Sequence, residues 1–181
     1  MKKEIIESLH IPAEISCVVE GRKLICRKDN VEMTRTLDIP SISLEIKDSK
    51  IVLSCKKGSK REFKVMKSFI AHTQNIFTGL NNKFAYKLEA CNLHFPMTLK
   101  LDKNTLLINN FLGEKIPRTA TILPGVDIEI KGSKIDLSSS DREAAGQTAA
   151  NIEKATRIKY RDRRIFQDGI FITHKPGREE K

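Results

Sequence analysis

Five cations, Arg157, Lys159, Arg161, Arg163 and Arg164, fall within eight residues, with Tyr160 among them and Phe166 just beyond. A guanidinium is a planar fork that can grip a phosphate through two parallel N–H bonds and can also stack on a base. Tyr160 offers a face for an exposed base or, equally, a packing contact. No comparable set for bond-breaking chemistry is visible. The histidines, His10, His72, His94 and His174, are scattered and lack the close spacing of a metal or general-base motif. No G-x-S-x-G elbow and no phosphate-cradling glycine loop occurs. Asp168-Gly169 reads as a turn between strands rather than part of a metal loop. Cys17, Cys26, Cys55 and Cys91 form no C-x-x-C pair, which leaves reduced and mostly buried thiols. The expectation is no catalytic residue, no metal, no cofactor and no small-molecule substrate.

The charge points the same way. The 181 residues carry 33 Lys and Arg against 23 Asp and Glu, a formal net charge of +10. Such an excess suits an anionic partner. It gathers in two windows, Lys47–Lys67 and Lys154–Arg178, each with eight basic and two acidic side chains. Clustering of this kind fits a nucleic-acid footprint. No apolar run approaches the roughly 18 residues of a membrane span. Acidic residues interrupt the amino-terminal MKKEIIESLHIPAEIS, which does not read as a secretory signal. The expected location is the cytoplasm, with no membrane contact.

The elements that must position these cations come from a repeat. LEIKDSKIVLS (Leu44–Ser54) and IEIKGSKIDLS (Ile128–Ser138) are identical at eight of eleven positions, 84 residues apart. Each alternates around a polar centre, the pattern of a β-hairpin, with Gly132 or Asp48 at a turn position of positive φ. Downstream, Ser59…Glu62 and Ser140…Glu143 have the S-x-x-E form of a capping box. Phe63, Met66, Ile70, Phe77 and Leu80 then recur at helical spacing, as do Ala145, Ala149, Ile152 and Thr156. The small residues of the second stripe predict a helix lying close to its sheet. Upstream, Leu24-Ile25 matches Leu107-Ile108, and Arg35-Thr36 matches Arg118-Thr119. Leu93, Phe95, Met97, Leu99 and Leu101 alternate as a half-buried strand that opens the second copy, with Pro96 at an edge or bulge. Ile165, Ile170 and Ile172 read as structural, in a last strand that runs through Asp168-Gly169 and returns to the sheet. The fold class is α+β: two tandem copies of a small domain, each an antiparallel sheet covered by one helix. The division expected is 1–83, 84–175 as the main RNA-binding domain, and 176–181 as a flexible tail.

HFPM at His94–Met97, NFLGEK at Asn110–Lys115, and the long run GVDIEIKGSKIDLSSSDREAAGQTAANIEKATRI continuing to DRRIFQDGIFI carry a resemblance. The chain resembles the universal large-subunit ribosomal protein six family (L-six, numbered L-nine in eukaryotes), in its archaeal and eukaryotic-type branch. The resemblance implies a structural protein that binds large-subunit ribosomal RNA mainly through its C-terminal domain. It implies a place near the sarcin–ricin loop and the stalk base, among neighbouring ribosomal proteins, with translational GTPases docking nearby. The RNA-facing residues are then Gln147 and Asn151 on the second helix, Lys154, and the run Arg157, Lys159, Tyr160, Arg161, Arg163 and Arg164. Lys175 and Arg178 come next, in the tail. One departure stands out: Ala71-His-Thr-Gln-Asn75 replaces a T-H-I-R-N-like stretch, so Gln74 takes the place of a basic residue. The Lys47–Lys67 window is therefore left to RNA, solvent or neighbouring proteins. A free RNA-binding regulator or chaperone is the alternative function.

Overall fold

A computed structural model describes residues 3–29, 31–162 and 164–177. The chain divides into two units, Met1–Asn82 and Lys83–Lys181. The first runs β1 (Lys3–His10), β2 (Ser16–Glu20), β3 (Lys23–Lys28), β4 (Val31–Thr36), β5 (Ser43–Lys47), β6 (Lys50–Gly58) and α1 (Lys60–Asn81). Its strands form two antiparallel sheets, β1-β6-β5 and β2-β3-β4. Helix α1 packs on strands of both. The second unit runs β7 (Phe84–Cys91), β8 (Thr98–Asp102), β9 (Thr105–Asn109), β10 (Arg118–Thr121), β11 (Asp127–Lys131), β12 (Lys134–Ser139), α2 (Arg142–Ala155) and β13 (Gly169–His174). Its sheets are β8-β9-β10 and β11-β12-β7-β13.

The repeated hairpins form in one register. Leu44 pairs with Leu53 and Ile46 with Ile51, as Ile128 pairs with Leu137 and Ile130 with Ile135. The period of two turns Leu53 and Ile51, like Leu137 and Ile135, into their cores. Gly132 has φ 63°, and Asp48 and Ser49 hold φ 48° and 58° at the matching turn. The upstream match is shifted by one residue. Two-residue turns join β2 to β3 and β8 to β9, pairing Glu20 with Lys23 and Asp102 with Thr105. These turns equate Leu24 with Leu106 and Cys26 with Ile108, all fully buried. Pairing Leu24-Ile25 with Leu107-Ile108 would put opposite sheet faces together, because a slip of one flips every side chain. Arg35 likewise pairs with Leu24, whereas Arg118 pairs with Ile108, so the two arginines are not equivalent.

The first capping box is present. The Ser59 backbone N–H donates to Glu62 Oε2 at 2.8 Å, and the Arg61 N–H donates to Ser59 Oγ at 3.2 Å. The second helix is capped one residue later than expected. Asp141 accepts from the Glu143 N–H at 2.8 Å, while Ser139 accepts from the Asp141 N–H and donates to the Gly125 carbonyl. A carboxylate is a strong cap and complements the positive end of the helix, so Asp141 takes the role from Ser140. Helix α1 buries Met66, Phe69, Thr73, Ile76 and Phe77. Phe63 lies outside that stripe, exposed, with the Lys67 ammonium 5.5 Å from its ring. Helix α2 buries Ala145, Thr148, Ala149 and Ile152. Its close approach is real: a Cβ on Gly146 would lie 2.9 Å from the Tyr86 hydroxyl oxygen.

The second unit opens with β7, whose Phe84, Tyr86, Leu88 and Ala90 face the core. The expected strand at 93–101 is paired only from Thr98. Leu93 is 69% exposed, and Pro96 lies in the loop ahead of the strand. Cys26 and Cys55 are buried and Cys17 half-buried, whereas Cys91 is exposed, against the expectation for it.

Candidate nucleic-acid interface

The connection between α2 and β13, residues 156–168, carries most of the expected cations. Both of its ends are tied down. Thr156, buried at the C-cap of α2, donates its hydroxyl to the Glu153 carbonyl at 3.2 Å and accepts from the Ile170 N–H at 2.9 Å. One hydroxyl thus joins the start of the loop to the strand that ends it. Arg118 secures the same corner from β10. Its Nη1 donates to the carbonyls of Ala155 and Arg157 at 3.0 and 3.2 Å, satisfying acceptors that a helix end leaves open. Its Nε and Nη2 grip Glu114 at 2.8 and 2.6 Å, and its guanidinium lies 4.2 Å from the Phe111 ring centre. The Arg118 hydrogen bonds, opposed by partial burial, hold the Glu114 carboxyl below its usual range. Arg118 is a fixing residue rather than a free cation.

Asp168 closes the other end. It is 2% exposed and is no turn between strands. Its Oδ1 accepts from the Leu93 and His94 N–H groups at 2.5 and 3.1 Å, and its Oδ2 lies 2.5 Å from His94 Nδ1. A carboxylate can only accept, so His94 Nδ1 carries the hydrogen. Burial pushes the Asp168 pKa up, but the His94 side chain and the two backbone donors outweigh it and leave the carboxyl below its ordinary 3.8. The His94 ring in turn stacks on Phe166, with centroids 5.1 Å apart, and Arg161 lies 4.9 Å from the centre of the Phe166 ring. Asp168, His94, Phe166 and Arg161 therefore form a continuous column from the core to the surface.

On this frame the expected residues divide. Lys154 and Arg157 are exposed and line a groove of about 1070 Å³ bounded by Cys91, Phe166, Asp168 and Phe171. Lys159 is exposed, and neither it, Lys154 nor Arg157 has a carboxylate partner among the described residues. Tyr160 is fully exposed at 103% and holds φ 60°. Positive φ costs a non-glycine residue about 1–2 kcal/mol, so the backbone here is held in a conformation that tyrosine does not favour. Arg164 makes a loose contact with Asp162 at 3.3 Å while remaining 90% exposed. Ile165, expected in a structural role, is exposed. Gln147 and Asn151 share the α2 face that leads to Lys154. Gln147 donates to Asn151 Oδ1 at 2.8 Å, and Asn151 donates to the Thr121 carbonyl at 3.1 Å, so both amides have fixed orientations. Lys175 is exposed just after β13. Arg163 and Arg178, and the tail from residue 178 on, lie outside the described residues.

The Lys47–Lys67 window has another character. It holds seven lysines and one arginine, on a regular hairpin and helix. Lys47 pairs with Glu45 at 2.5 Å and Lys67 with Glu7 at 2.8 Å. Among the described residues no group of His, Cys, Asp and Glu could hold a metal ion, and no helix is long and apolar enough to cross a membrane.

A model of the family "Ribosomal protein L6" matches residues 95–169, a span that includes the whole pinned loop. The large ribosomal subunit protein uL6 of Methanococcus vannielii is 38% identical over 174 residues, covering 96% of each chain. That of Haloarcula marismortui is 36% identical over 170 residues, covering 94% of this chain and 96% of its own. The chain belongs to the L6 family of ribosomal proteins. These L6 proteins are structural components of the large subunit rather than enzymes, and binding of ribosomal RNA is characteristic of them. The archaeal relatives agree with the branch to which the sequence wording points. Within this L6 chain, the residues that sequence spacing misses are Arg118, His94 and Asp168. The Asp-Gly ahead of the last strand marks Asp168, the HFPM wording marks His94, and the Arg-Thr match with Arg35-Thr36 marks Arg118 without its role.

Proposed function

We propose that the chain is a cytoplasmic constituent of the large ribosomal subunit whose second unit grips large-subunit ribosomal RNA with the α2–β13 loop. The observation that carries this reading is the loop itself. Its backbone is pinned at both ends while Arg157, Lys159, Tyr160, Arg161 and Arg164 remain exposed. Pinning removes entropy before binding, so less is lost when phosphates arrive. Phosphate contacts fix position without reading sequence, and the shape of the fold supplies selectivity. Gln147, Asn151 and Lys154 extend the surface along α2, with Arg163, Lys175 and Arg178 as further cations. The family resemblance supports a position for this surface near the sarcin–ricin loop and the stalk base, beside other ribosomal proteins and close to where translational GTPases dock.

Sedimentation of a cell lysate tests the proposal. The chain should travel with large subunits, and a Lys154→Glu/Arg157→Glu/Arg161→Glu variant should shift to the light fractions. A wild-type chain found chiefly in a free pool would favour a free RNA-binding regulator or chaperone instead.

A further inference from the structure

The RNA-facing loop makes no use of the thiols in the first unit, where two of them meet. The two-residue turn Gly21-Arg22 closes on the pair Glu20–Lys23, and Cys17 faces Cys26 three pairs further along. Pairs alternate between hydrogen-bonded and non-hydrogen-bonded from the turn outward, so Cys17 and Cys26 occupy a non-hydrogen-bonded position. Directly opposed Cα atoms there are about 4.5 Å apart, within the span of a disulfide. The two Sγ atoms are 3.0 Å apart. Cys17 is half-buried and so open to a small reagent, whereas Cys26 is sealed. The other two thiols, Cys55 and Cys91, have no sulfur partner among the described residues.

We propose that Cys17 and Cys26 are a reversible redox pair that closes a cross-strand disulfide by exchange with a low-molecular-weight disulfide. The two thiols share one S–H···S hydrogen bond, in which either sulfur can be the donor. That bond, against the opposing effect of burial, lowers the Cys17 pKa, and the same bond together with burial raises that of Cys26. Cys17, the one of the pair that a reagent can reach, is therefore the attacking thiolate. It bonds to one sulfur of the small disulfide and expels the other half as a thiolate. Cys26 then gives its proton to an expelled thiolate, attacks Cys17 Sγ and releases the second half. Two protein thiols have lost two electrons and two protons, and the small disulfide has become two thiols.

The test uses the full chain carrying Cys91→Ser, which removes the exposed competing thiol and leaves three of the four. Incubation with oxidised glutathione should consume two of those three, lower the mass by two hydrogens and link the Cys17 and Cys26 peptides. Dithiothreitol should restore both thiols. Adding Cys26→Ser should halt the reaction at a glutathione adduct on Cys17. A glutathione adduct that persists on Cys17 with Cys26 still free in the chain lacking only Cys91, or no loss of thiols there, would overturn the proposal.

Discussion

The two units solve one packing problem in the same way and differ in the chain beyond the helix. Their repeated hairpins share a register, and each unit sets one helix on strands of two small sheets. In the first unit α1 runs 22 residues. Strand β1 has β6 on one side only, and its other edge is open among the described strands. In the second, α2 stops after 14 residues, and the chain turns through a loop to lay β13 on the corresponding edge of β7. That extra strand changes a helix end into a loop held at both ends. The cations differ accordingly. Lysines on regular elements of the first unit are flexible point charges, some of them paired. Arginines on the pinned loop are rigid forks beside an exposed ring. A shared core therefore says little about which unit binds; the appended strand and its loop say more.

The sharpest way to break the contrast is at the closing carboxylate. Asp168→Ala would leave the Leu93 and His94 N–H groups without their acceptor, costing the second unit about 3 kcal/mol. Denaturant unfolding monitored in each unit should show that loss in the second alone. Thr156→Val keeps the shape but removes the acceptor of the Ile170 N–H. It should cost about 1–2 kcal/mol and speed amide exchange at the start of β13. Tyr160→Ala should weaken RNA binding by about 1–3 kcal/mol if the ring stacks on a base, while leaving thermal stability unchanged or slightly raised. An equal loss of folding stability would show that the ring packs instead.

A pH series sharpens the same comparison. The folded pKa of Asp168 lies below its unfolded value of 3.8, so its contribution is complete above that value. It is lost as pH falls through the folded pKa. The stability gap between wild type and Asp168→Asn should therefore be constant near neutrality and shrink at pH values below about 4. A gap that widened with acid would refute the assigned ionisation. The smallest effect belongs to the first unit. Asp48→Gly, copying Gly132 at a φ of 48°, should stabilise it by about 0.5 kcal/mol in a thermal melt.

The local elements were open to sequence reading because their signals are local. Alternation marked the two hairpins, Ser59 and Glu62 marked the start of α1, and the small stripe of α2 foretold its close approach to Tyr86. Where the sequence misled, a distant residue decided. Leu93 and Phe95 continue the alternation of a strand, but the N–H groups of Leu93 and His94 are taken by Asp168, about 75 residues on. Spacing cannot see such a bond. Arg118 looked like the twin of Arg35, yet the strand position matching Arg35 is Ala120, and Arg118, two residues before it, reaches the end of α2 instead. The cations themselves were legible as a cluster. The groups that hold them, Thr156, Arg118 and Asp168, became visible only in three dimensions.

The salt dependence of binding to large-subunit ribosomal RNA tests the contrast most directly. Each phosphate contact contributes about 0.7–0.9 to the slope of log affinity against log salt. Arg157→Gln/Arg161→Gln/Arg164→Gln should reduce the magnitude of that slope by about 2–3, and Lys56→Gln/Lys57→Gln/Lys64→Gln should leave it nearly unchanged. Equal reductions from the two triple variants, or a larger one from the first unit, would contradict the assignment of the pinned loop as the main RNA contact.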